Sequence, residues 1–97
     1  MSAYIIARVN VTNPEKYTDY QALTPAAVAA FDGEFVVRGG DVETLEGPDE
    51  NRRVVVIRFA SMEKAREFYH SAQYQEAVKI RHANSEGEMI LVQGHDA

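Results

Sequence analysis

Residues 3–11, AYIIARVNV, put Ile5, Ala7, Val9 and Val11 on one side of an extended chain and Tyr4, Ile6, Arg8 and Asn10 on the other. A period of two in a stretch rich in β-branched side chains predicts a strand with one fully apolar face. The period then lengthens, and Tyr17, Tyr20, Thr24, Val28 and Phe31 recur at helical spacing. Asn13 followed by Pro14 is a helix start: a capping side chain, then a residue whose missing N–H is harmless in the first turn. Thr12 with Glu15 offers a capping box as the alternative. Pro25 inside a helix costs about 3 kcal/mol, so the helix is expected to stop there and restart with Thr24 as its cap.

Asp32-Gly33 closes the helical region, and EFVVRGGDVETLEG, residues 34–47, reads as a second strand of up to fourteen positions. Strands average about 5–6 residues, so one this long must bend, and Gly39-Gly40 is the expected place. The polar GPDEN at 47–51 predicts a turn, and RRVVVIRFA at 52–60 the returning strand of a hairpin. Ser61 is placed to cap a helix carrying Met62, Ala65, Phe68, Tyr69 and Ala72. Ser71 is placed to cap another carrying Tyr74, Ala77, Val78 and Arg81, the two forming a helical hairpin or one kinked helix. EGEMILVQG, residues 86–94, is the last strand.

The order strand, helix, strand, strand, helix, strand is a βαβ unit used twice. It specifies an α+β chain of the ferredoxin-like βαββαβ type, with an antiparallel sheet and helices on one face. The greasier half of each alternation should meet the helices: Ile5, Ala7 and Val9; Phe35 and Val37; Val55, Ile57 and Phe59. Arg8, Arg38 and Arg58 then share the opposite face with Tyr4, Ile6, Val36, Val54 and Val56. A one-residue bulge would reverse that placement for any strand containing it. An apolar patch of this kind is expected to be covered. A second copy packing sheet to sheet, as a homodimer, would cover it and enclose a cavity lined by arginines, tyrosines and aliphatics.

Composition narrows the partners. At 97 residues the chain is one domain, spanning 1–97, and 45% hydrophobic residues with strong periodicity exclude a disordered chain. A net charge of −5, with no basic cluster beyond Arg52-Arg53, removes the stripe that a nucleic acid requires. With no cysteine there is neither a disulfide nor a thiolate metal site. No apolar run approaches the ~20 residues of a membrane span, and no charged-then-apolar leader opens the chain. A cytoplasmic protein without membrane or nucleic-acid partners is the expectation.

Candidate chemistry is sparse. His70, His82 and His95 lack the spacing of a metal helix, so no metal is expected, and no cofactor motif is present. His70, near a helix end, is the one candidate general base. Ser61, Ser71 and Ser85 have no nucleophile elbow around them, and RGGD opens no phosphate-binding helix. The sheet-face arginines have two readings: ion pairs with Asp41, Glu43 or Glu46, or a site for an anionic ligand.

RGG at 38–40, LEG at 45–47, RFAS at 58–61, AREFYHSAQYQEAVKIR at 65–81 and ILVQG at 90–94 together resemble the domain-of-unknown-function 1330 family, over nearly the whole chain. The resemblance implies a ferredoxin-like protomer of the dimeric α+β barrel superfamily. That superfamily includes cofactor-independent monooxygenases, small isomerases and ligand-binding regulators. The family's motif residues fall on Arg38, Tyr69, Ser71, Tyr74 and Arg81, while His70 stands where relatives often carry a small polar residue. Two functions follow. In one, a small organic anion is held by Arg38 and Arg81 with Tyr69 or Tyr74 as hydroxyl donors, Ser71, Arg8 and Arg58 also counting as ligand-binding candidates, with or without turnover. In the other, a noncatalytic homodimeric module uses the same arginines to staple its interface.

Overall fold

The computed structural model describes residues 1–95. Its elements are β1 (Ala3–Val11), α1 (Pro14–Ala30), β2 (Glu34–Arg38), β3 (Arg53–Phe59), α2 (Met62–His70), α3 (Ala72–Asn84) and β4 (Ser85–Gln93). The strands form one antiparallel sheet in the order β2-β3-β1-β4, so the chain has the ferredoxin-like α+β fold. Register across the sheet is set by the alternation. On the helix face Ile5 stands between Ile57 and Leu91, and Ala7 between Val55 and Met89. On the other face Ile6 stands between Val56 and Ile90, and Arg8 between Val54 and Glu88.

The core lies between the sheet and the helices. Ile5, Ala7, Val9, Ile57 and Phe59 from the strands meet Tyr17, Tyr20 and Val28 of α1, Phe68 of α2 and Tyr74 of α3, all buried. Phe68 is fully buried, its ring 4.4 Å from Tyr74, 5.0 Å from Phe59 and 6.3 Å from Phe31. Burying a side chain of this size contributes roughly 1.5–3 kcal/mol, and this aromatic cluster ties α2 and α3 to β3.

Helix starts agree with the capping signals. The Asn13 side chain accepts from the Lys16 N–H at 3.2 Å with Pro14 in the first turn, so Asn13 is the cap and not Thr12. Ser61 accepts from the Lys64 N–H at 3.1 Å. Ser71 ends α2 and starts α3: its hydroxyl donates to the Phe68 carbonyl at 2.7 Å and accepts from the Tyr74 N–H at 3.1 Å. A single serine therefore makes the break between the two helices.

Three expectations are corrected, two of element boundaries and one of the face that Arg38 occupies. The helix does not restart at Pro25, because α1 runs unbroken from Pro14 to Ala30 with Pro25 inside it. The lost backbone bond is compensated locally, since the orphaned Gln21 carbonyl finds other donors, Thr24 Oγ1 among them at 3.4 Å. Burial of Thr24, Ala27 and Val28 on either side of the proline holds the helix to the sheet.

The second strand is also shorter than its sequence suggests. β2 ends at Arg38, and residues 39–52 form a loop in place of the expected hairpin with a tight turn at 47–51. Gly39 has φ +73°, a left-handed conformation that turns the chain out of the sheet after one last bond from its N–H to the Val54 carbonyl. A glycine bend was expected, but it terminates the strand. The irregularity inside the strand lies earlier. Phe35 pairs with Ile57 and Val37 with Val56, which leaves Val36 as an extra, bulged residue.

That bulge overturns the placement of Arg38. Past Val36 the side chains change sides, so Val37 joins the outer face beside Val56, and Arg38, opposite Val55, joins the helix face. Arg8 and Arg58 remain on the outer face as expected. An apolar row, Val37, Val56, Ile6 and Ile90, crosses all four strands of that face.

Candidate functional site

Between the sheet and helices α1 and α3 lies a cavity whose floor is aliphatic, formed by Ala7, Val9, Val55 and Ile57. Its polar lining is three guanidinium groups and three phenols, Arg38 from β2, Arg53 from β3, Arg81 from α3, Tyr17 and Tyr20 from α1, and Tyr74 from α3, together with Gln21 and Thr24 of α1. Its free space is about 30 Å³, room for about two water molecules or a group the size of a carboxylate. Arg38 is exposed and marks the rim, Arg53 is half-buried, and Arg81 is 5% exposed.

Each of these groups arrives by a short local argument. Tyr17, Tyr20 and Thr24 recur on the buried stripe of α1, and Tyr74 and Arg81, seven positions apart, lie on the buried stripe of α3. Arg53 is in phase with Val55, Ile57 and Phe59, so it points to the helices. Gly39 gives it room, since a side-chain carbon there would be driven into the Arg53 guanidinium.

Electrostatically the cavity is one-sided. Among the described residues, no carboxylate forms an ion pair with Arg38, Arg53 or Arg81. The Nε atoms of Arg53 and Arg81 are buried without a hydrogen-bond partner. An unsatisfied buried donor costs about 1–3 kcal/mol, and more when charged. Arg38 is held from two sides, with its guanidinium carbon 4.4 Å from the centre of the Phe35 ring and its Nη2 donating to the Gln21 carbonyl at 3.2 Å.

The phenols are kept neutral. The Tyr20 and Tyr74 hydroxyls share a buried hydrogen bond of 2.7 Å. Burial pushes the Tyr74 hydroxyl above the usual phenol range, offset in part by the bond with Tyr20 and by Arg81. Burial also pushes the Tyr20 hydroxyl up, with Tyr74 adding to the effect. Tyr17 is raised by burial, with Arg53 and Arg81 opposing. No carboxylate or imidazole lines the cavity, so near neutral pH it offers charged donors and neutral hydroxyls.

The other candidates lie elsewhere. Ser71 is engaged as the cap between α2 and α3. Tyr69 and exposed His70 border a separate groove of about 220 Å³ between α2 and β4, although the Tyr69 ring lies 5.7 Å from that of Tyr74. Arg58 donates to Glu34 at 2.8 Å, and Arg8 lies 3.8 Å from both Glu50 and Glu88, so these two arginines are paired on the outer face. The carboxylates expected as partners, Asp41, Glu43 and Glu46, are not the ones used. Arg52 joins the same network, gripping Glu50 through two nitrogens at 2.7 and 2.8 Å and Glu88 at 2.6 Å. Arg53, Tyr17 and Tyr20 were not singled out from sequence as site residues. The available signal was an arginine in step with the apolar half of β3.

Fold and cavity together define the class: a ferredoxin-like α+β chain with an arginine- and tyrosine-lined cavity beneath its helices. The chain belongs to the family described as a domain of unknown function (DUF1330), whose model matches residues 2–95. No protein of curated function matches it. Among solved structures it is similar to a protein of unknown function from Rhodopseudomonas palustris, at 21% identity and TM-score 0.80 over 99% of this chain and 84% of that one. It is similar to SnoaB, a cofactor-independent oxygenase from Streptomyces nogalater, at 18% identity and TM-score 0.70 over 99% and 95%. A dimeric ferredoxin-like protein of unknown function from Jannaschia sp. CCS1 is similar at 12% identity and TM-score 0.75 over 97% and 100%. No helix among the described residues is long and apolar enough to cross a membrane.

Proposed function

We propose that the chain binds a small organic anion in the cavity between sheet and helices, with Arg53 and Arg81 taking the charged group and Arg38 closing on it at the rim. The observation that carries this reading is three guanidinium groups converging on one cavity with no carboxylate partner among the described residues. Ordinary structural arginines are paired, as Arg8, Arg52 and Arg58 are here. A ligand carboxylate or enolate would satisfy the free Nε donors through charge-assisted bonds. The Tyr20–Tyr74 pair would orient a second oxygen.

With about 30 Å³ free, the cavity admits only the anionic group of an ionised enol or phenol, whose remainder would stay at the Arg38 rim; oxidation of such a compound without a cofactor is the further activity considered, SnoaB being named a cofactor-independent oxygenase. No side chain in it is ready to take a proton near neutral pH, so such a substrate must reach the cavity already ionised or ionise under the pull of the guanidiniums. His70 is too far from this chemistry to serve as its base in the present arrangement, bordering the other groove.

The test is a thermal-shift and calorimetric titration with benzoate and salicylate, on wild type and on Arg53→Met and Arg81→Met. Ligand at 100 times its Kd stabilises the native state by about 2.7 kcal/mol. A rise in Tm confined to wild type is the expected result. No rise in any of the three proteins, with no heat of binding, sinks the reading. Oxygen uptake with a dihydroxyaromatic substrate then separates an oxygenase from a binder.

A homodimer formed through the outer sheet face is favoured by one observation, the apolar row of Val37, Val56, Ile6 and Ile90, in which Val37 is 36% and Ile90 51% exposed. An isologous pairing across that row would bury it. Solution mass across a dilution series of wild type and Ile90→Asp decides the point. A monomeric wild type at all concentrations would refute the dimer and leave the anion site untouched.

A further inference from the structure

We propose that Pro25 is a positioning residue for the ligand: by removing one backbone donor from α1 it turns the Gln21 carbonyl into a socket that holds Arg38 at the cavity rim. The proposal rests on the anion-binding reading and adds a residue that does not itself line the cavity, although its neighbours Gln21 and Thr24 do. In a continuous α-helix the N–H of residue 25 would bond the carbonyl of residue 21. Proline has no N–H, and its ring presses that carbonyl away from the helical path. The freed oxygen accepts from Arg38 Nη2 at 3.2 Å, with Thr24 Oγ1 as a weaker donor at 3.4 Å.

Arg38 needs such a socket. It lies on an edge strand just past a bulge and just before the loop that begins at Gly39. It is exposed and has no ion-pair partner among the described residues. Among the described residues its anchors are the Phe35 ring and the Gln21 carbonyl. The ring constrains the plane of the guanidinium, and the carbonyl fixes which edge faces α1. Of five N–H donors on an arginine, one is used by the socket, and the rest are available to an anion. A free arginine at this edge would lose several rotatable bonds on binding, and holding it beforehand removes part of that cost.

Pro25 therefore trades helix stability for orientation. Restoring the donor does not abolish the socket, because a carbonyl has two lone pairs. It puts the Arg38 bond in competition with a well-aligned helical one and lets the carbonyl return to the helix path.

The experiment compares wild type, Pro25→Ala, Arg38→Ala and the double variant. The ligand-free readout is the NMR of the Arg38 guanidinium, where slow exchange of the Nη protons in wild type should become fast in Pro25→Ala. The second readout is benzoate affinity. Pro25→Ala should raise Tm, since it restores a helical bond, while weakening benzoate about tenfold, or about 1.4 kcal/mol. The double variant should bind no worse than Arg38→Ala, because Pro25 acts only through Arg38. If wild type binds benzoate and Pro25→Ala binds it equally with unchanged Arg38 signals, the Pro25 proposal is overturned and the anion site stands. If wild type does not bind benzoate, the anion reading itself falls, and with it the role assigned to Pro25.

Discussion

Replacing Arg81 by methionine should make the unliganded protein more stable. Arg81 is 5% exposed, and its guanidinium carries a buried Nε with no acceptor. Its polar contacts are a 3.3 Å approach to His82 Nε2 and a position facing the Tyr74 hydroxyl. Relieving an unsatisfied buried donor returns about 1–3 kcal/mol, and losing two modest hydrogen bonds costs about 0.5–1.5 kcal/mol each. Methionine has a flexible chain of similar length and can fill the space left behind. The two losses can equal the gain, and relief of the repulsion among three cations in one cavity tips the balance toward stability, by about 1 kcal/mol. For a chain of this size, 1 kcal/mol moves Tm by about 4–8 °C. The assay is urea and thermal unfolding at one fixed protein concentration, together with spectrophotometric titration of the phenols. Arg81 lowers the pH at which Tyr17, Tyr20 and Tyr74 ionise, so all three should ionise at higher pH in the variant. A Tm lowered by about 5 °C or more, or over 0.6 kcal/mol, would mean that Arg81 is a structural cation, and the uncompensated cavity would lose its meaning.

Gly39→Val should cost about 1–3 kcal/mol and displace Arg53, because the side chain meets that guanidinium and a β-branched residue strains at φ +73°; chemical unfolding and the Arg53 Nε resonance report the two effects. Tyr20→Phe and Tyr74→Phe should each cost about 1–2 kcal/mol by leaving the other buried hydroxyl without its 2.7 Å partner. The double variant should cost less than their sum, and strict additivity in a denaturation cycle would show that the hydroxyls are not coupled. On the outer face Glu50 is held down to about 2 by the hydrogen bonds of Arg52. A folded-state value below the unfolded one means that this contribution is whole above about pH 4.5 and fades as pH falls through the folded value. Carbonyl NMR of Glu50 should titrate near its ordinary value in Arg52→Ala.

The architecture was readable because the strands, β2 past its bulge excepted, obey a period of two and each helix is announced by a capping side chain. Asn13, Ser61 and Ser71 all cap as their neighbours suggest. The two misreadings share a physical cause. Local rules at Pro25 and at Gly39-Gly40 describe what a segment prefers alone, whereas the outcome depends on what the rest of the fold supplies. Thr24 and Arg38 supply donors that let α1 continue past a proline, and β3 offers DVETLE no pairing after Gly39. Arg38 was singled out, but on the wrong face, since a bulge leaves no mark in alternation. Arg53 was overlooked because a charged residue at the start of an apolar strand reads as a solvated end. Arg81 and Tyr74 were visible as members of a helical stripe, but their convergence on Arg53 is a tertiary fact.

The bulge at Val36 means that arginine content and arginine geometry can be inherited separately. A descendant whose β2 straightened, pairing Val36 with Val56, would keep every arginine and tyrosine of the cavity in its sequence. Val37 would then stand opposite Val55 and Arg38 opposite Val54, on the outer face, and the cavity would be left with two guanidiniums in place of three. A one-residue slip in pairing would thus alter ligand charge preference and expose a new cation on the outer face in the same step, whereas loss of Val36 itself would leave Arg38 facing the helices.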